Sequence, residues 1–118
     1  MEVDKLIALK QYSLNKEEKQ KTLFPLLKEL HSYHLKHSKE YAKIVERLFP
    51  GKVERMDDLP FLPVTLFKNF DMKSIEDKAI YKTLISSGTS GSSPSKIFLD
   101  TETANLQTQA LSSIMQYI

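Results

Sequence analysis

The chain has 118 residues and a formal net charge of +2, enough for one domain and too little charge to define an electrostatic partner. Acidic and basic side chains are interspersed, whereas a nucleic-acid binder would gather its basic residues on one face. There is no cysteine, which excludes disulfides and thiolate metal sites.

An apolar content of 41% with only three glycines and five prolines argues against wholesale disorder. No apolar run approaches the ~20 residues needed to cross a bilayer. The start, Met1-Glu2-Val3-Asp4-Lys5, lacks the basic-then-apolar layout of a signal peptide, so a cytoplasmic location is expected.

Residues 4–12 read as a short amphipathic segment with Leu6, Ile7 and Leu9 on its apolar side. Asn15 with Glu18 three residues later forms a capping-box signal. The helix it opens carries Leu23, Leu26, Leu27 and Leu30 at helical spacing. Pro25 lies too deep for a first-turn proline and cannot donate to the carbonyl of Lys21, which predicts a kink or a split into two helices. His31, His34 and His37 follow at intervals of three. His37 drifts about 120° from His31 around the helix, and no further ligand cluster is visible, so solvated histidines on a helix face are expected rather than a metal site. Ser38 can cap a further helix whose apolar face is Tyr41, Ile44, Val45, Leu48 and Phe49, and Pro50-Gly51 stops it.

From Gly51 to Lys78 the periodicity is lost. Pro60 and Pro63 predict an extended, turning connection, and Asp57-Asp58 read as a helix cap rather than an acid/base pair. The segment 64–70 is a short helix or strand, with Phe61, Phe67 and Phe70 expected in the core. Residues 79–85, rich in β-branched and aromatic side chains, read as a strand. Ile97-Phe98-Leu99 reads as a second strand. Asp100 is the expected N-cap of a last helix with Leu106, Ala110, Leu111, Ile114, Met115 and Ile118 along one side.

Between the two strands lies Ser86-Ser87-Gly88-Thr89-Ser90-Gly91-Ser92-Ser93-Pro94-Ser95-Lys96, a stretch without one bulky apolar side chain. Glycines let consecutive N–H groups point into one concavity. Hydroxyls add donors and Lys96 adds a charge, which is the inventory for holding a polyphosphate. A plain polar hairpin loop would use the same residue types. The stretch fits neither common nucleotide motif. Gly88 and Gly91 are too close for a Walker A loop, and the third glycine and following helix of the dinucleotide fingerprint are missing.

The stretch resembles the phosphate-binding loop of adenylate-forming enzymes, a Ser/Thr-rich S-G-T-[ST]-G followed by Pro and Lys. Here Ser92 and Ser93 precede Pro94, and Ser95 precedes Lys96, whereas the wider superfamily usually has G-x-P-K. The block 85–114, with the upstream Leu59-Pro60-Phe61-Leu62-Pro63-Val64-Thr65-Leu66-Phe67-Lys68, is similar to acyl-protein synthetases of the LuxE type, from the fatty-acid reductase complex of bacterial luminescence. That resemblance implies a mixed α/β fold, with 1–50 as a helical N-terminal layer and 51–118 as the start of an adenylate-forming core whose helix stripe is covered by chain beyond Ile118. It implies ATP-dependent activation of a long-chain fatty acid as acyl-adenylate, then transfer to a thiol of an acceptor protein. Ser87, Gly88, Thr89, Ser90, Gly91 and Lys96 would hold the phosphates of ATP. Ligands for Mg2+, together with the remaining catalytic groups, would lie outside these 118 residues, which alone should not turn over.

Two other readings stay open. One is an acyl- or aryl-coenzyme A ligase of the same chemistry. The other is a non-catalytic module that docks or self-associates through the uncovered last helix.

Overall fold

The computed structural model describes residues 3–10, 12–86 and 94–116. Three helices come first: α1 (Val3–Ile7), α2 (Lys16–His37) and α3 (Lys39–Leu48). A largely irregular stretch then carries the short α4 (Leu66–Asn69). The chain finishes on β1 (Lys82–Ile85), β2 (Lys96–Leu99) and α5 (Thr101–Met115). Helices combined with a two-stranded antiparallel sheet make a mixed architecture compatible with the α/β class.

The helix starts follow the local chemistry. The Asn15 side chain accepts from the Glu18 N–H at 2.9 Å, and the Glu18 carboxylate accepts from the Asn15 N–H at 3.0 Å. Two N–H groups with no partner inside the helix are thereby satisfied. Ser38 serves two helices at once. Its N–H donates to the His34 carbonyl at the end of α2, and its Oγ accepts from the Tyr41 N–H at the start of α3. Phe49 ends α3, and Gly51 follows at φ +113°, a backbone conformation that disfavours any side chain.

Pro25 does not split α2. The helix runs unbroken over 22 residues. One proline removes a single hydrogen bond, and the turns on either side, fixed by a capping box at one end and Ser38 at the other, hold the helix together.

The connection from α3 to β1 departs further from expectation. Asp58 does act as a cap, accepting from the Glu54 and Arg55 N–H groups at 3.1 and 2.9 Å and pinning a single 3-10 turn at Met56–Asp58. The aromatics, however, are not core. Phe61 is 75% exposed and Phe70 51%, with Phe67 alone half-buried. Phe61 sets its edge against Phe49 with ring centroids 5.0 Å apart, a surface pair rather than an interior one. Two prolines within four residues hold the start of this segment extended. The first strand is also shorter than expected, because Asp77–Ala79 forms a 3-10 turn before it.

The sheet is a β-hairpin in which Lys82, Thr83, Leu84 and Ile85 face Leu99, Phe98, Ile97 and Lys96. Helix α2 packs on α3, α1 on α5, and both α4 and α5 on β2. The buried set among the described residues is Ser38, Val45, Leu99 and Ala104, and none is fully enclosed. The chain exposes 9354 Å², against roughly 6,600 Å² for a compact monomer of its 13.6 kDa. Its radius of gyration is 16.1 Å, where about 13.5 Å is usual at this length. Elements meet along edges, which leaves room between them.

Candidate functional site

The hairpin fixes where the polar stretch begins and ends. The ladder continues past Ile85, as the Ser86 N–H donates to the Ser95 carbonyl at 3.0 Å. The Ser95 N–H returns to Ser86 Oγ at 2.8 Å. This double clasp closes the mouth of the loop, because a hydroxyl beside a strand end can satisfy the next backbone donor. Lys96 is exposed at the first position of β2, opposite Ile85. By strand alternation it shares a face with Phe98. Ser87, Gly88, Thr89, Ser90 and Gly91 lie outside the described residues, so of the six expected phosphate contacts the structure places Lys96 alone.

Behind the hairpin a cavity of about 610 Å³ opens between α2, α3, the 62–75 segment, β2 and α5. Apolar side chains dominate its wall, among them Leu30, Leu62, Met72, Ile75, Phe98 and Leu106. Several polar groups in the wall are hydrogen-bonded. His34 Nδ1 lies 2.5 Å from Ser74 Oγ, and His31 Nδ1 lies 2.7 Å from Tyr41 Oη just behind it. Lys73 bonds to the Asp77 carboxylate and holds its ammonium 5.2 Å from the centre of the Phe98 ring. Asp100 caps α5, accepting from the Thr103 N–H at 2.8 Å.

These contacts set the protonation. Burial lowers the pKa of His34, with the positive charges of protonated His31 and His37 adding to the effect. Burial alone lowers His31 and raises Tyr41. The hydrogen bond to Asp77 raises Lys73, and the N–H of Thr103 lowers Asp100.

The expectation of solvated histidines is therefore corrected. His31 and His34 are half-buried and hydrogen-bonded, and His37 is exposed with its ring 4.3 Å from that of Tyr33. The sequence carried no sign of the His34–Ser74 pair, whose members are 40 residues apart. Among the described residues, no three His, Cys, Asp or Glu side chains gather to hold a metal ion. No helix among them is long and apolar enough to cross a membrane.

Ser86 and Ser95 thus clasp the two ends of the Ser/Gly/Thr stretch, downstream of the block that holds Pro60 and Pro63. The chain belongs to the LuxE acyl-protein synthetase family, whose model matches it over residues 1–118. It is 36% identical over 94 residues, 76% of this chain, to the long-chain-fatty-acid--luciferin-component ligase of Vibrio harveyi. The chain spans 24% of that relative's length. No solved structure matches it.

Proposed function

We propose that the protein carries the phosphate-binding part of an acyl-protein synthetase that activates a long-chain fatty acid with ATP. The fatty carboxylate attacks the α-phosphorus of ATP, a new C–O–P linkage forms, and pyrophosphate leaves with the bonding pair. The acyl carbon then passes to a thiol of an acceptor protein, releasing AMP. The observation that carries this reading is the clasped hairpin, which sets Lys96 beside the ends of a loop made of glycines and hydroxyls. Membership in the synthetase family and a relative named for ligating long-chain fatty acid supply the substrate class.

In this reading the loop stabilises charge that grows on the leaving pyrophosphate. N–H groups from Gly88 to Gly91 and the hydroxyls of Ser87, Thr89 and Ser90 donate to the phosphate oxygens, and Lys96 adds its ammonium. Mg2+ would enter with ATP and neutralise part of its charge. No step is assigned to protein ligands for it.

The test is exchange of radiolabelled pyrophosphate into ATP by the intact natural protein, with and without tetradecanoate. Exchange that depends on the fatty acid is expected, and Thr89→Ala should lower it by about 10² to 10³, the usual cost of one lost transition-state donor. Exchange that is absent, or indifferent to Thr89, would overturn the reading. The exposed stripe of Leu111, Ile114 and Met115 on α5 favours a second role, as a surface on which other protein packs. A protein with that role alone would show no exchange at all.

A further inference from the structure

We infer that the cavity behind the hairpin is the pocket for the hydrocarbon tail of a long-chain acyl group, so that α2, the 62–75 segment and α5 select the substrate by its chain. The choice of an acyl chain over other hydrocarbons rests on the ligase reading above. The pocket itself rests on geometry.

Its volume, about 610 Å³, falls within the roughly 300–1,000 Å³ typical of small-molecule sites. Apolar side chains dominate the wall, and several of its polar groups already hold partners. His34 is bonded to Ser74, Lys73 to Asp77, Asp100 to the Thr103 backbone and Ser38 to the Tyr41 backbone. Among the described residues, no buried side-chain donor or acceptor lacks a partner. A peptide segment entering here would bring an N–H and a C=O at nearly every residue to a mostly apolar wall with few groups to pair them. A hydrocarbon chain brings none.

Charge decides which end enters. Glu29, Asp100 and Glu102 line the wall, and its one lysine is already paired. A carboxylate pushed inside would meet like charge, so the tail occupies the cavity and the head stays outside. Burial lowers the pKa of His34 and so favours its neutral form.

The experiment is photolabelling of the intact natural protein, without ATP, using a tetradecanoic acid that carries a diazirine near its methyl end. Labelled peptides are then mapped by mass spectrometry. Labels are expected within residues 30–41, 62–75 or 97–106, and unlabelled tetradecanoate should suppress them. Ile75→Trp, which narrows the cavity, should weaken labelling about tenfold. Labels elsewhere, or no saturable labelling by the wild-type protein, would overturn the assignment. Mapping needs no variant, so it stands even where Ile75→Trp fails to fold. ATP binding is measured separately. Its loss with labelling intact would count against the ligase reading and leave the tail pocket standing.

Discussion

Residues 59–70 and 97–106 make an instructive pair. The first has seven apolar side chains in twelve positions, and the second five in ten. Yet the less apolar segment supplies two of the buried residues, Leu99 and Ala104, while the more apolar one leaves Phe61, Val64 and Phe70 in solvent. The difference lies in the backbone. Residues 97–99 pair with β1, and Asp100 caps α5, so the polar main chain is satisfied and the side chains can turn inward. Pro60 and Pro63 remove two donors from the other segment and hold it extended, and its single helix has four residues. Hydrophobicity proposes burial; a satisfied main chain permits it.

The largest expected effect comes from the buried side of this comparison. Leu99 is 6% exposed beneath α5, so Leu99→Ala should cost about 2–4 kcal/mol in urea unfolding of the intact protein. A cost under 1 kcal/mol would show that the cluster is too loosely packed to count as a core. Asp100→Ala should cost about 1 kcal/mol, through loss of the cap on α5. Asp100→Asn keeps an acceptor at that position and should recover most of it, an outcome that separates capping from charge. The smallest effect belongs to Phe61→Ala, expected to stay within about 0.5 kcal/mol because the ring is largely solvated. A cost above 2 kcal/mol there would mean that Phe61 is covered by protein in the intact natural chain.

What the sequence made legible divides along the same line. Asn15 with Glu18, Ser38 with Tyr41, and Asp100 with Thr103 all act across three residues, and each was readable because signal and partner sit together. Both strands of the hairpin were readable too, although β1 begins at Lys82 because residues 77–79 prefer a 3-10 turn. Pairing across long separations left no such trace. Ser74 meets His34 from 40 residues away, and Tyr41 meets His31 across a helix–helix turn. Neither could be found without the fold. The six expected phosphate contacts were read from composition and family resemblance, and of them Lys96 alone falls within the described residues.

The clasp between Ser86 and Ser95 has a consequence for how the loop can vary. Eight residues lie between the clamped positions. The entropy of closing such a ring rises only with the logarithm of its length, about 0.6 kcal/mol for each doubling. Hydrogen bonds of the ladder and clasp already hold the two ends together, so residues could be added or removed between them at little thermodynamic expense. Length is therefore a weak constraint on the ring closed between Ser86 and Ser95.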